Sequence, residues 1–144
     1  MAAGRSFTPG EITILGAGVV ALVCSFLDFY TAEISDTGVN AWASGLFPVA
    51  TLMVVFVVIM ALQVALAKLT SARPEPPFGF SWEQMHLVLG FFAMIYAIAF
   101  FLTDRGIGTD FGIGFWGILV ACIGAFVGAV MLRRERAGRG TSGA

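Results

Sequence analysis

The stretch 46–67, LFPVATLMVVFVVIMALQVALA, constrains this chain more than any other feature. It holds no charged residue, and the uncharged run around it reaches from Thr37 to Ala67. The hydrocarbon core of a bilayer is about 30 Å thick, and about 20 apolar residues of helix are needed to cross it. A run of this length and polarity is expected to span a membrane. Similar runs recur along the chain, and the expected spans are 10–30, 46–67, 82–102 and 111–132. Composition agrees, since 12% of residues are charged where soluble domains carry about 25%.

Two span starts are written in local chemistry. In Phe7-Thr8-Pro9-Gly10-Glu11-Ile12, Thr8 suits an N-cap, Pro9 the first helical position, and Glu11 the return arm of a capping box. Ser81 and Gln84 repeat the box before the third span, and Phe80 with Met85 repeats the flanking apolar pair of Phe7 with Ile12. Pro48 falls in the first turn of the second span, where a missing N–H is harmless. The first span lacks a following A-x-A cleavage site and is expected to stay in the mature protein. The linker with Pro74, Pro76 and Pro77 reads as a stiff spacer.

Together these readings give an all-α fold, a membrane-embedded antiparallel four-helix bundle. A single transmembrane domain occupies 1–144, with a basic, mobile tail at 133–144. Arg5, Lys68, Arg73, Arg133, Arg134, Arg136 and Arg139 fall on one side of the expected membrane, and only Arg105 on the other. The positive-inside rule then places both termini in the cytoplasm of a multi-pass cell-membrane protein, and the two acidic loops outside.

Small residues mark packing faces. Ala17, Ala21 and Ser25 recur at every fourth position of the first span. In the fourth span Gly117, Ala121 and Ala125, and alongside them Gly124 and Gly128, give two such four-residue series, the second a GxxxG. Gly112-Ile113-Gly114-Phe115-Trp116-Gly117 matches the GxGxxG pattern of dinucleotide sites. That chemistry requires a preceding strand in a βαβ unit, and at the mouth of a membrane helix the glycines read as packing positions.

The polar residues near the spans are Asp28, Arg105, His86, Gln63 and Tyr96. His86 and Gln63 lie near the cytoplasmic ends of their spans and read as polar links between helices, with proton or substrate handling as the alternative. Asp28 lies in the outer end of the first span, where a desolvated carboxylate seeks a cation, and Arg105 is the expected partner, with Asp104 as competitor. Tyr96 shares a depth with Ser25 and is placed to hydrogen-bond it. Cys24 and Cys122 lie in apolar runs at a separation that fits no metal spacing. No Ser/His/Asp grouping occurs, so no catalytic, cofactor or metal residue is expected, and the chain is not expected to be an enzyme. The net charge of −1 provides no field for nucleic acid. The expected partners are the lipid bilayer and other membrane proteins or further copies of the chain.

At Ser25–Gly45 the chain resembles a family of small four-span membrane proteins of actinobacteria. The resemblance is carried by SFLDFY, an acidic polar loop, and then Asn40-Ala41-Trp42 with Gly45. Phe115-Trp116-Gly117 followed by Gly124 and Gly128 is similar as well. Asp28 and Phe29 stand where that family often has Pro-Trp. The resemblance implies a topology and no assigned activity. The function expected is a scaffold or accessory subunit of a cell-envelope or membrane complex, with a small-solute or ion transporter or channel, in oligomeric form, as the alternative.

Overall fold

The computed structural model describes residues 6–32, 37–70, 75–103 and 108–141. Four helices dominate: α1 (Pro9–Cys24), α2 (Val49–Leu69), α3 (Trp82–Leu102) and α4 (Ile113–Thr141). Both capping boxes form. The Glu11 N–H donates to Thr8 Oγ1 at 3.3 Å, and the Thr8 N–H returns to Glu11 Oε2 at 2.9 Å. Gln84 and Ser81 exchange the equivalent bonds at 3.3 and 2.9 Å. Each box occupies donors that the first helical turn cannot pair internally. Pro48, which follows a cis peptide bond, is the N-cap of α2.

Each helix packs against its neighbour in sequence, and α1 closes the ring through its most extensive contact, with α4. Glycine makes that contact possible. A Cβ on Gly10 would lie 2.7 Å from the Leu132 backbone nitrogen. One on Gly128 would lie 3.1 Å from both the Gly10 carbonyl oxygen and the Ile14 nitrogen. Further along the same seam, a Cβ on Gly117 would strike the Cys24 side chain. Ala121 is buried. Gly124 is looser, since its Cβ would meet the Ala17 methyl at an ordinary 3.7 Å. On the other side of α1, Gly18 faces Ala61 of α2 so closely that a Cβ would overlap it. Close backbone approach of this kind converts small residues into dispersion contact along the whole seam.

The interior between these helices is apolar. Ile14, Ala17 and Ala21 meet Met53, Val57 and Met60, with Ala93, Ala97, Ile118, Cys122 and Ala125 closing the core.

The fold is not all-α. Three short strands, β1 (Tyr30–Ala32), β2 (Gly38–Val39) and β3 (Thr109–Phe111), form an antiparallel sheet in the order β2-β1-β3. Tyr30 pairs with Val39 on one side and Phe111 on the other. Helix α1 therefore stops at Cys24 instead of continuing to Tyr30. The cause is the glycine-rich start of α4. Gly112 donates its N–H to the Phe29 carbonyl, and Gly114 donates to the Asp28 carbonyl, each at 2.9 Å. A Cβ at Gly112 would collide with Asp28, and one at Gly114 would lie 2.6 Å from the Leu27 carbonyl oxygen. The glycines at 112, 114 and 117 are thus contact points for the segment 24–29. Beneath the sheet, Phe29 is fully buried, with edge contacts to Phe100 and Phe115 at 5.4 and 5.2 Å.

The other boundaries also shift. Helix α2 starts at Val49 and reaches Leu69, and α4 continues through Thr141, so the basic segment after 132 is helical over its described length. By length and composition α2, α3 and α4 are each able to cross a membrane. Helix α1, with 16 residues, rises only about 24 Å.

Candidate functional site

The polar chemistry of the bundle collects at the end where α1 and α3 begin and α2 and α4 finish. A cavity of about 550 Å³ opens there among Glu11, Gln63, Lys68, Trp82, Glu135 and Arg139. Glu11 is 7% exposed, and its Oε2 lies 2.9 Å from Lys68 Nζ. The same ammonium donates to the Ser6 carbonyl at 3.2 Å and sits 5.7 Å over the Phe7 ring. From the far end of the chain, Glu135 Oε1 accepts the Gly10 N–H at 3.0 Å. A carboxylate of α4 therefore occupies the positive end of α1, where a negative charge is favoured. Arg136 Nη1 pairs with Glu83 Oε1 at 2.6 Å, tying α4 to α3. These three links join helix ends in three neighbouring pairs, α1 with α2, α1 with α4 and α3 with α4.

The residues singled out in the sequence divide between the two ends. Gln63 is half-buried on the cavity wall. His86 is 2% exposed; neither ring nitrogen has a hydrogen-bond partner among the described residues. It packs at 6.2 Å from the Trp82 ring, so the link expected of it is one of ring packing and not of hydrogen bonding. At the opposite end Asp28 is exposed and lies outside α1, in the turn before β1, with its carboxylate against Gly38. Arg105, its expected partner, and the competitor Asp104 lie outside the described residues. The two helical hairpins are nonetheless clipped together at this end, by the backbone pairing of β1 with β3.

Tyr96 does not meet Ser25. Its ring stacks on Phe56 at 6.3 Å and tilts against Phe92 at 6.2 Å. Ser25 is fully buried and serves Trp42 instead, whose indole N–H donates to Ser25 Oγ at 2.9 Å. Ser25 Oγ donates onward to the Leu22 carbonyl at 2.7 Å. Asn40 Oδ1 accepts the Trp42 N–H at 3.1 Å and fixes the turn that aims the indole inward. Replacing Trp42 with Phe is expected to lower stability by about 1 kcal/mol, the net worth of one hydrogen bond. A thermal melt in mild detergent measures it, and an unchanged midpoint would dismiss the bond as a stabilising contact.

Sequence reasoning missed the Glu11–Lys68 pair and the reach of Glu135. One signal was available, because Glu135 is the lone acid in the basic run Arg133–Arg139. Chemically, the cluster holds helix ends in register. Among the described residues no group of three or more His, Cys, Asp or Glu side chains is placed to hold a metal ion. The chain matches no protein-family model, no curated protein and no solved structure.

Proposed function

We propose that this chain is a four-span protein of the cell membrane, with both termini cytoplasmic, and that it acts as a non-enzymatic scaffold or accessory subunit of a membrane or envelope complex. The observation that carries the reading is the outward face of the bundle. Val19 and Val23 of α1, Ile59 and Leu62 of α2, Phe91 and Ile95 of α3, and Val120 and Val127 of α4 are all exposed. An apolar surface of this extent on every helix suits lipid and not water.

Helix α1 is short for a span, but the segment after it supports a fourth crossing. The Ser25, Phe26 and Leu27 N–H groups bond back to α1 carbonyls, the Phe29 N–H bonds to the Val39 carbonyl, and Gly114 takes the Asp28 carbonyl. Irregular backbone is tolerated at membrane depth when its polar groups are paired within the protein. Lys68, Arg133, Arg134, Arg136 and Arg139 share the end opposite the sheet, which favours that end as cytoplasmic. Membership of the actinobacterial four-span family is part of the proposal, on the SFLDFY and Asn40-Ala41-Trp42 segments.

The scaffold reading is favoured over a transporter by the interior. Among the described residues the buried polar side chains are Glu11, His86 and Ser25. Between the Glu11 level and the Ser25 level, α1 offers the core only Ile14, Ala17, Gly18 and Ala21. On its buried face α1 offers a crossing ion no polar group between those levels to replace its hydration. Purification in mild detergent is expected to retain a stoichiometric membrane partner, and liposomes holding the pure chain are expected to keep an imposed ion gradient. Dissipation of that gradient by the chain alone would replace the scaffold with a transporter.

A further inference from the structure

On the side of the bundle away from the Glu11 cluster, α3 and α4 leave a groove of about 320 Å³ lined by Leu87, Val130, Arg133, Arg134 and Ala137. The charges at this end of the molecule are unequally committed. Lys68 is held by Glu11 and Arg136 by Glu83, and Arg139 has an interaction of its own. Arg133 and Arg134 are exposed and form no ion pair or hydrogen bond with the described residues. They are adjacent in sequence and frame one groove from a single helix, one turn beyond Val130. Above the arginines, the seam between the two helices continues as an apolar strip. Val127 and Phe91 are exposed along it, and Phe91 contacts Phe126 at 6.2 Å.

We propose that this groove is a binding site for an anionic phospholipid, which rests on the membrane reading above. The guanidinium groups of Arg133 and Arg134 hold the phosphodiester, a geometry that planar guanidinium matches with paired N–H donors. One acyl chain lies along Leu87, Val130, Phe91 and Val127. The complementarity is twofold, with unpaired positive charge at the headgroup level and apolar surface directly above it. Basic pockets between membrane helices on the cytoplasmic side take anionic headgroups by this combination. A soluble phosphate would use the arginines and leave the apolar strip idle, so the occupant is the lipid.

The test measures phosphatidylglycerol retention by the full chain in phosphatidylcholine nanodiscs, using native mass spectrometry. Wild type is expected to select phosphatidylglycerol over phosphatidylcholine, and R133Q/R134Q to lose that selection by roughly 30-fold, the effect of two interfacial cations. The control R136Q/R139Q removes the same charge outside the groove and is expected to retain it. Equal loss in both variants, or unchanged selection in R133Q/R134Q, would overturn the site in favour of diffuse attraction or none. Saturation of the site by glycerol phosphate at the lipid's own affinity would also overturn it, because the chain-binding strip would then contribute nothing. Both arginines are exposed, and a thermal melt of R133Q/R134Q at the wild-type midpoint confirms that the fold is intact. Failure of the membrane reading is seen separately, as wild-type protein that leaves the membrane fraction on carbonate extraction.

Discussion

Gly128→Leu is expected to disrupt the bundle, and Gly124→Ala, on the same face one turn earlier, to leave it intact. The two glycines are alike in the sequence, as the two ends of one GxxxG. The surroundings separate them. A side chain at Gly128 would press on the Gly10 carbonyl, the Ile14 nitrogen and the Ile14 side chain. Two of these are backbone atoms of a capped helix and have no rotamer to retreat into. Overpacking a core costs about 1–3 kcal/mol and sometimes more, and leucine at Gly128 belongs at the upper end or beyond. At Gly124 a methyl meets Ala17 at 3.7 Å, an ordinary contact, and alanine gains up to about 1 kcal/mol in helix propensity over glycine. Melts in mild detergent should therefore place Gly124→Ala at or above wild type and Gly128→Leu far below it, if the latter assembles at all. Similar midpoints for the two would show that the α1–α4 seam does not depend on backbone approach at Gly128.

That contrast marks how much of the molecule is readable from residues alone. Span-length apolar runs, capping boxes and small-residue stripes depend on neighbours within one turn, and those features predict the helices and the face by which α4 meets α1. The end of α1 is set by something distant. Nothing local forbids a helix from continuing through Phe26-Leu27-Asp28-Phe29, and the segment leaves it because Gly112 and Gly114 take the carbonyls of Phe29 and Asp28. The strands are two or three residues long, too short to show an alternating pattern. Tyr30 and Thr31 suit a strand as well as they suit an interfacial helix end. In the sequence Trp42 stands out only within the Asn40-Ala41-Trp42 segment, and its partner depends on a turn at Asn40 that folds the loop back onto Ser25. The polar site was hidden for a similar reason. Glu11 fully explains itself as a capping residue, and only the fold adds Lys68 and brings Glu135 across the whole length of the chain.

Lys68→Met is expected to be the most damaging polar substitution at that site. The side chains of Lys68 and Glu11 are 16% and 9% exposed, so the pair is largely withdrawn from solvent. Methionine keeps much of the length and apolar stem of lysine, and what it removes is the charge facing Glu11. A buried ion pair adds little over an apolar pair of the same shape, but a single charge left behind is costly, with typical losses of about 3–5 kcal/mol. The residual opening at this site favours about 3 kcal/mol. Glu11 cannot simply move into water, because its Oε2 also accepts the Thr8 N–H that starts α1. Glu11→Gln in the Lys68→Met background should therefore restore much of the loss. The amide oxygen still receives the Thr8 N–H, and no uncompensated charge remains. Glu11→Gln alone should cost less than Lys68→Met, since an exposed route exists for the ammonium, which already donates to Ser6. The double-mutant cycle isolates the coupling, expected at about 1–3 kcal/mol for groups in direct contact. Additive losses in the cycle would mean that the two residues stabilise the helix ends independently, Glu11 as a cap and Lys68 as apolar stem over Phe7. Coupling would mean that α1 and α2 are locked at this end by the charge pair itself.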